Sequence, residues 1–318
     1  MLMPSPPEAR KLAATPARTK RLPITVIIAT RNEAANIENC LRALLNVERV
    51  VVVDSFSTDG TIDLAQAYGS EVVQFEYKGG YPKKRQWALN NLDIKTPWTM
   101  LIDADEQVTH SLWKEIEHVV NSPGCSDAYL GYKEFHFLGK KLRRGGFSHS
   151  AVLLFKTGRA QFEQTDGNTA NGQDMEVHER LLVDGKVGRL HSPLIHQDFK
   201  GLYAYLDRHN KYSTWEAGIR ANYFKTGSWG DQTIKARLFG DAQSRRRFLK
   251  AIVLRLPFEP WLWFAYHFIL RGGIFEGRRG YIAASLRKAY IEQIHAKLYE
   301  QRVTEHQPLP SASKNLTT

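Results

Sequence analysis

The chain has few cysteines and no long apolar run. These two features argue against a disulfide-rich or zinc-binding protein and against a membrane-spanning one. Of its 318 residues only two are cysteines, Cys40 and Cys125. Two thiols provide neither a disulfide framework nor the paired spacing of a zinc site, and we expect them to be free, as in a reducing compartment. No stretch supplies the roughly 18 uncharged apolar residues that a membrane-spanning helix needs. We therefore expect no transmembrane segment.

The chain is also short of acidic residues relative to basic ones. Lys and Arg number 44 against 33 Asp and Glu, a formal net charge of +11. Such an excess indicates an anionic partner: a nucleic acid, a phosphorylated substrate or an anionic membrane surface. Residues 1–22 are rich in Pro, Ala and basic side chains, and we expect a disordered basic arm there rather than a signal peptide. Residues 306–318 are expected to form a polar tail.

A short apolar run that ends in two carboxylates is the most informative feature. Met100 to Ile102 suits a buried strand, and Asp103 and Asp105 follow directly. In an extended chain residues i and i+2 point to the same side, so both carboxylates can bind one cation, directly or through water. Such ligands, completed by substrate phosphates, suit Mg²⁺ or Mn²⁺. The alternative is an acidic pair that only ends a strand and caps the next helix.

Strand and helix patterns alternate through the first half of the chain. Apolar, β-branched runs predict strands at 24–29, 49–53, 71–75 and 98–102. Helical periodicity predicts helices at 34–45, 62–68 and 81–92. This alternation predicts βαβ units and a mostly parallel sheet, in which ligands bind beyond the carboxyl ends of the strands. Polar clusters at 30–33, 54–59 and 103–105 lie at three such ends.

These clusters resemble the motifs of family 2 glycosyltransferases. The similar segments are Ile27–Glu33, Val52–Thr61 and Leu101–Asp105, in the same order and at similar intervals. The resemblance covers about residues 23–200 and implies an α/β protein with a GT-A type, Rossmann-like, mostly parallel mixed sheet flanked by helices. More loosely, Glu176–Glu179 and His196 are similar to a bacterial branch that builds lipopolysaccharide core or related surface glycans.

The resemblance implies a nucleotide-sugar site at the strand ends. Thr30, Arg31 and Glu33 would line the nucleotide pocket, or they signal the start of the next helix, and the two roles are compatible. Asp54 would accept hydrogen bonds from the base or the ribose. The family usually has two acids in succession here, whereas this chain has Ser55 in the second position, which leaves the base preference open.

The resemblance also implies groups for the diphosphate and its metal. Lys84 and Arg85 would neutralise phosphate charge, or they belong to a solvated helix face. Asp105 is the expected direct metal ligand, while Asp103 binds the ion or contacts the ribose. His196 would complete the metal site, or it is a hydrogen-bonded core residue. The ion, Mg²⁺ or Mn²⁺, would stabilise the charge on the leaving nucleoside diphosphate.

An inverting transfer needs a base that takes the proton from the acceptor hydroxyl. Glu179 fits the place of this base in the family pattern, with His178 beside it, whereas Asp174 and Glu176 are further acids in the same segment. The alternative for this segment is a solvated acidic turn before a strand.

The C-terminal part is basic and aromatic, and we expect residues 201–305 to form a helical, membrane-proximal extension of the domain at 23–200. Phe258–Leu270 is apolar and aromatic, too short to span a bilayer, and followed by Arg271, Arg278 and Arg279. Such a segment suits an interfacial position at an anionic membrane surface, or it packs as a core helix on the catalytic domain.

The sequence thus predicts a metal-dependent, inverting hexosyltransferase that moves a sugar from a nucleotide donor, a UDP-sugar being favoured, to a glycan or lipid-linked acceptor. Its expected place is the cytoplasm, peripheral on the inner face of a bacterial inner membrane. A nucleic-acid-binding protein is an alternative that the charge supports, but no nucleic-acid motif accompanies that charge. A nucleotidyltransferase also uses paired acids and Mg²⁺, but it usually has a Gly-rich loop where this chain has Ala29–Glu33.

Overall fold

The computed structural model describes residues 21–44, 46–163, 181–227, 239, 248, 251–256 and 258–306. The strands are β1 (Leu22–Thr30), β2 (Val47–Asp54), β3 (Glu71–Gln74), β4 (Trp98–Asp103), β5 (Glu106–Val108), β6 (Ala128–Phe137), β7 (Lys140–Lys141), β8 (His149–Lys156), β9 (Ala160–Phe162), β10 (Leu181–Val183) and β11 (Val187–His196). The helices are α1 (Ala34–Arg42), α2 (Thr61–Ala67), α3 (Lys84–Asn91), α4 (His110–Asn121), α5 (Gly201–Thr226), α6 (Glu259–Ala265) and α7 (Gly277–His306). A π-helical turn (Tyr266–Leu270) and a 3₁₀ turn (Gly273–Glu276) connect α6 to α7.

The alternation of strands and helices predicted for the first half is confirmed. β1 pairs in parallel with β2 and with β4, and β2 pairs in parallel with β3. In this register Thr30 lies beside Asp54, and Ala29 lies beside Asp103. The carboxyl ends of three strands therefore meet at one edge of the sheet, which is where the polar clusters were expected.

The second half of the sheet is more mixed than the first. The strand order is β3-β2-β1-β4-β8-β6-β11-β5, with β8 antiparallel to both of its neighbours. β11 runs parallel to β6 and antiparallel to β5, which places His196 beside Glu106. The predicted α/β fold, with a mixed sheet flanked by helices, is confirmed, and the pairs β1–β2, β1–β4 and β2–β3 in the first half of the chain are parallel.

Two apolar layers cover the faces of this sheet. Side chains alternate along β1, so Val26 and Ile28 join α1 and α4 on one face, whereas Ile27 joins α3 on the other. Each fully buried side chain of this size stabilises the fold by roughly 1.5–3 kcal/mol. Because both faces are covered, the polar strand ends mark the edge where the sheet opens toward solvent.

The predicted helical extension starts with α5, which packs against α7 through Ala217, Ile291 and Ile294. Its end at Thr226 is marked by Gly227 in the left-handed conformation that commonly terminates helices. Within the described ranges, no helix is long and apolar enough to cross a membrane. The division at residue 200 stays a prediction, and the predicted basic arm (up to residue 20) and polar tail (from residue 307) lie outside the described residues.

Candidate functional site

The ends of β1 and β2 are joined by side chains that the sequence singles out. Thr30 Oγ1 donates a hydrogen bond of 2.8 Å to Asp54 Oδ1, and both residues are buried. Lys84, in the first turn of α3, reaches the same place, because its Nζ donates to the Thr30 carbonyl oxygen at 2.8 Å. Thr30, Asp54 and Lys84 therefore form one buried hydrogen-bonded group. Lys84 is bound to the end of β1 and does not belong to a solvated helix face.

The Asp54 carboxylate shapes the loop that follows β2. Its Oδ2 accepts from the Ser57 backbone N–H at 2.7 Å, and its Oδ1 accepts from the Ser57 hydroxyl at 2.5 Å as well as from Thr30. A carboxylate offers about four acceptor positions, so roughly one remains for a ligand. The neighbouring Ser55 Oγ is buried without a hydrogen-bond partner among the described residues. Buried hydroxyls are rarely unpaired, which makes Ser55 a candidate ligand contact.

Glu33 and Arg31 differ in their surroundings. Glu33 accepts from Lys200 Nζ at 2.6 Å and from Asn36 at 2.8 Å, which links the start of α1 to the loop after β11. Burial raises the pKa of Glu33, although Lys200 opposes this effect. Arg31 is exposed to solvent. The structure thus places Glu33 at the rim of the sheet edge and Arg31 outside it.

The Asp103 carboxylate is held by two basic side chains. Arg85 donates to its Oδ1, and Lys133 Nζ lies 3.3 Å from its Oδ2. Burial raises the pKa of Asp103, but Arg85 and Lys133 outweigh burial and keep this pKa well below its usual value. Asp103 is therefore ionised and oriented before any ligand binds.

Lys133, on β6, is not among the residues that the sequence motifs single out. Its Nζ lies 2.5 Å from Glu106 Oε1, and Glu106 Oε2 accepts from the Asp103 backbone N–H at 2.9 Å. Burial lowers the pKa of Lys133, but Glu106 and Asp103 outweigh this effect and raise it, so the ammonium group stays charged. The one signal in the sequence is a lysine within the largely apolar and aromatic run 128–133.

Asp105 and His196 come together from distant parts of the chain. Asp105 Oδ2 lies 3.2 Å from His196 Nε2, and the Asp105 carbonyl accepts from the Gln197 N–H at 2.9 Å. Burial lowers the pKa of His196, but the hydrogen bond and charge of Asp105 outweigh it and raise that pKa to about 9. Two of the three predicted metal ligands therefore face each other.

Asp105 and His196 can bind a divalent metal only if further ligands come from substrate or water. A carboxylate oxygen and an imidazole nitrogen are suitable donors, and they lie next to the strand end that carries Asp103. In the described part of the chain, however, no three His, Cys, Asp or Glu side chains are grouped to hold an ion. Substrate phosphates and water would have to supply the remaining ligands, as they commonly do for Mg²⁺.

Helix α5 lies across the strand ends from the C-terminal side. Asp198, in the loop before α5, accepts from Arg208 at 2.6 Å and from Asn36 at 3.0 Å. Tyr212 lies close enough to the site that Asp103 and Asp105 both act on its pKa, which burial chiefly raises. Asp198 is another residue that no sequence motif indicates. These contacts show that α5 forms one wall of the site.

The predicted base lies outside this description. Glu179 and His178 belong to segment 164–180, which is not among the described residues. The residues that border this segment are neighbours, because Phe162 of β9 pairs with Leu181 of β10. The Phe162 N–H donates to Gln86 Oε1 at 2.7 Å, and Gln86 follows Arg85 in α3. Both borders of the segment are thus tied to the helix that carries Arg85.

Comparison with known proteins identifies similar chains. The profile of the family described as "Glycosyl transferase family 2" matches residues 25–158. "Lipopolysaccharide core biosynthesis glycosyltransferase LpsC" of Rhizobium meliloti (strain 1021) is 25% identical over an alignment of 302 residues that covers 91% of this chain and 96% of LpsC. An uncharacterized glycosyltransferase of Rickettsia bellii (strain RML369-C) is 38% identical over 111 residues, covering 35% of this chain and 36% of its own.

Two solved structures are also similar. The mannosyltransferase PcManGT from Pyrobaculum calidifontis, in complex with GDP-Man and Mn²⁺, is 17% identical with a TM-score of 0.41 over 92% of both chains. The glucosyl-3-phosphoglycerate synthase from Mycobacterium tuberculosis, in complex with Mn²⁺, UDP and glucosyl-3-phosphoglycerate, is 22% identical with a TM-score of 0.29, covering 39% of this chain and 51% of that chain.

Proposed function

We propose that this chain, whose residues 25–158 match the profile of glycosyl transferase family 2, is a metal-dependent, inverting enzyme that moves a sugar from a nucleotide-sugar donor to a glycan or lipid-linked acceptor. The Asp105–His196 pair carries this proposal, because it lies at the strand ends beside an aspartate that two cations keep ionised. A carboxylate, an imidazole and oriented cations are what a diphosphate leaving group and its metal need.

Asp105 and His196 would hold Mg²⁺ or Mn²⁺, and the ion would supply Lewis-acid stabilisation of the departing diphosphate. Asp103 would contribute through water or through the ribose, since its own oxygens are engaged by Arg85 and Lys133. Lys133 acts as a positioning residue, because its ammonium group pairs with Asp103 and with the buried Glu106 and so fixes both carboxylates. His196 must give up its proton to bind a metal, since only the neutral ring has a free lone pair.

Arg85 is the better candidate of the two basic residues for the donor diphosphate. Lys84 is buried and donates to the Thr30 carbonyl, so its charge is used to hold the strand end. Arg85 lies on the same helix turn with a quarter of its side chain exposed, and it already contacts Asp103 at the strand end. A guanidinium in this position can exchange part of its contact with Asp103 for a phosphate oxygen.

Thr30, Asp54 and Ser55 form the proposed nucleoside end of the site, with Glu33 at its rim and the exposed Arg31 outside it. Asp54 has an acceptor position left for an imide N–H, and the unpaired Ser55 hydroxyl can donate to a carbonyl oxygen. Uracil and guanine both offer a ring N–H next to a carbonyl along one edge, whereas cytosine does not, so this arrangement fits the UDP-sugar favoured here, or a GDP-sugar, better than a CDP-sugar.

Glu179 is proposed as the base that takes the acceptor proton, with His178 beside it. The support is positional: Glu179 precedes β10 by two residues, and β10 is tied through β9 to the helix of Arg85. A base is needed on the acceptor side because the attacking hydroxyl loses its proton as the new glycosidic bond forms.

The similarity to LpsC supports the proposed acceptor, and the exposed residues of the C-terminal part support the proposed location. LpsC supports a surface-glycan acceptor, such as lipopolysaccharide core. Trp261 and Ile269 are 60% and 62% exposed to solvent. Glu259 and Pro260 on the same segment are buried, so one part of this segment packs on the protein while another faces solvent. Arg271, Arg278 and Arg279 are exposed nearby in the chain. This combination favours peripheral binding at the anionic cytoplasmic face of a bacterial inner membrane.

Release of nucleoside diphosphate tests the activity. The protein is incubated with UDP-glucose, UDP-galactose and GDP-mannose, each with Mn²⁺, with Mg²⁺ or with a chelator, in the presence of bacterial lipid extract. Release from one donor that requires both the metal and the extract is expected. Release that is equal with chelator contradicts metal dependence, and release from no donor contradicts the proposed activity.

A further inference from the structure

A cavity of about 350 Å³ lies outside the donor site described above. It is open to solvent and is lined by Tyr132 of β6, by the loop that precedes β8 and by the end of the π-helical turn. Three of its lining residues are arginines: Arg143, Arg144 and Arg271. We refer to this cavity as the arginine pocket. Cavities of this size are large enough for a small ligand.

The arginine pocket concentrates positive charge that the protein itself does not neutralise. In the described part of the chain no ion pair joins any of the three guanidinium groups to a carboxylate. Glu276 of the adjoining turn accepts instead from the backbone N–H of Arg144, at 2.8 Å. Like charges held close together repel one another, and an anion removes that repulsion. Arginine is the side chain best suited to phosphate, because its planar fork matches two phosphate oxygens.

The backbone around the arginine pocket is held in place before any ligand binds. His267 Nδ1 donates to the Gly145 carbonyl at 2.6 Å, and the Gly145 N–H donates to the Arg271 carbonyl at 2.8 Å. Gly146 has a φ of +73°, and a Cβ there would come within 2.8 Å of Arg271 Nε. Glycine is favoured here because any other residue would adopt a strained left-handed backbone and would displace the Arg271 side chain from this loop. The Arg144 guanidinium lies 4.5 Å over the Phe275 ring, which limits its motion.

The arginine pocket adjoins the predicted metal pair on one side. Phe147 lines the pocket, and its ring centroid lies 5.9 Å from that of Phe135. The Phe135 ring is in turn 5.7 Å from the ring of His196. Two ring contacts thus connect the pocket to the residue that faces Asp105.

Exposed apolar side chains also border the arginine pocket. Leu270, which lines the pocket, is 77% exposed, and Phe275, beneath Arg144, is 75% exposed. Exposed side chains of this size suit contact with the apolar part of an amphiphile. The arginine pocket therefore borders side chains that can contact lipid and is linked by two ring contacts to His196.

We propose that the arginine pocket binds a phosphate group of the acceptor. The acceptor is then a phosphorylated, lipid-linked glycan, with its phosphate on Arg143, Arg144 and Arg271 and its apolar part along Leu270 and Phe275. Anion binding by the pocket stands independently, whereas its assignment to the acceptor rests on the proposed function. The pocket gives the acceptor a fixed point from which its hydroxyl reaches the donor.

Binding to the arginine pocket is measured as protection of its arginines from phenylglyoxal modification, which is quantified by peptide mass spectrometry. Inorganic phosphate, dihexanoyl phosphatidic acid and dihexanoyl phosphatidylcholine are the three probes, each below its micelle concentration. Phosphatidic acid is expected to protect Arg143, Arg144 and Arg271 at an about tenfold lower concentration than inorganic phosphate, because the apolar contact adds to the charge. The exposed Arg189 is expected to stay unprotected.

Three outcomes overturn the proposal. Equal protection by inorganic phosphate and phosphatidic acid indicates a site for the free anion. Equal protection by phosphatidylcholine indicates apolar adsorption alone. Protection of Arg189 together with the pocket arginines indicates a general charge effect.

Variants separate the arginine pocket from the donor site. Arg144→Gln/Arg271→Gln is expected to bind phosphatidic acid about tenfold more weakly by calorimetry, while its nucleotide affinity equals that of the wild type. The control, Lys186→Gln/Arg189→Gln, removes the same charge at exposed positions, just before β11 and on β11, and is expected to bind both probes normally. Wild-type protein that binds phosphatidic acid but no nucleotide refutes the proposed function and leaves the anion site standing. Equal phosphatidic acid affinity in the pocket variant and the control refutes the pocket.

Discussion

Asp105 Oδ2 and His196 Nε2 lie 3.2 Å apart, although the two residues are 91 positions apart in the chain. The contact exists because β5, which directly follows Asp105, runs antiparallel to β11, which ends at His196. The sheet thus carries the second aspartate of the Asp-Ala-Asp motif to a late histidine. A metal site that needs both groups can form only when the last strand of the sheet is in place.

Lys133 is expected to stabilise the fold by neutralising buried carboxylates. Lys133→Met leaves Glu106, which is fully buried, and Asp103 without their shared cation, and removing one partner of a buried ion pair costs about 3–5 kcal/mol. Urea unfolding measures this loss. The double variant Lys133→Met/Glu106→Gln removes the unpaired charge and is expected to recover part of the stability. A single variant as stable as the wild type contradicts the role of Lys133.

Glu179→Gln tests the proposed base. The variant is expected to bind nucleotide as the wild type does, because the residue acts on the acceptor, while turnover falls by about 10²–10⁴-fold. Product formation under saturating donor, together with nucleotide titration, separates the two effects. Glu176→Gln is the matched control, three residues earlier in the same segment. Near-normal turnover of Glu179→Gln, with loss in Glu176→Gln, moves the base to Glu176.

The buried Glu259 cluster predicts a pH dependence of stability. Glu259 accepts from Arg220 Nη1 and from His295 Nε2, each at 2.7 Å. Burial raises the pKa of Glu259, but His295 and Arg220 outweigh burial and lower it below its ordinary value of 4.5. A carboxyl whose pKa is lower in the folded protein contributes stability above pH 4.5, and this contribution is lost as the pH falls through the folded-state pKa.

The Glu259→Gln variant isolates this contribution. At pH 7 it is expected to be less stable than the wild type by about 1.5–3 kcal/mol, because Arg220 and His295 lose a charged acceptor while Arg220 keeps its second carboxylate, Glu216. The difference should shrink as the pH is lowered below about 4.5, which thermal unfolding at several pH values measures. Glu292→Gln, in a half-exposed pair with Lys288, serves as the control and should change little. A pH-independent difference for Glu259→Gln would falsify the assignment.

Exposed apolar side chains on α6 and the π-helical turn are expected to bind lipid. Trp261→Ser/Ile269→Ser should weaken sedimentation with vesicles of phosphatidylcholine and phosphatidylglycerol by at least about tenfold, since each side chain contributes roughly 1.5–3 kcal/mol on burial. Leu182→Ser/Val187→Ser replaces two residues that are each 48% exposed on β10 and β11 and should bind vesicles normally. Equal loss in both pairs would mean that general apolarity, rather than this segment, drives binding.

The strand ends of the donor site could be predicted from sequence because their signals are local. An apolar run followed by a carboxylate marks a buried strand and its end within six residues, as at Trp98–Asp103. Boundaries were less accurate. α3 begins at Lys84 rather than at Tyr81, because the residue before a proline, here Pro82, is disfavoured in the helical region.

Lys133, Asp198 and the arginine pocket could not be predicted in the same way. Lys133 reaches Asp103 only through the order of β4, β8 and β6 in the sheet, and no local pattern encodes that order. The arginine pocket joins the loop before β8 to a turn more than a hundred residues later, as the 122-residue separation of Gly145 and His267 shows. Contacts of this kind follow from topology, which the periodicity of a sequence does not determine.

Calorimetric titration of nucleoside diphosphates tests the central claim most directly. Wild-type protein and Asp105→Asn are titrated with UDP, GDP and CDP, each with and without Mn²⁺, and Asp93→Asn, an exposed aspartate paired with Lys95, is the control. We expect wild type and Asp93→Asn to bind UDP at least about tenfold more tightly with Mn²⁺, and Asp105→Asn to lose this metal effect. UDP binding that does not respond to Mn²⁺, or a metal effect that persists in Asp105→Asn, would contradict a metal held by Asp105 and His196.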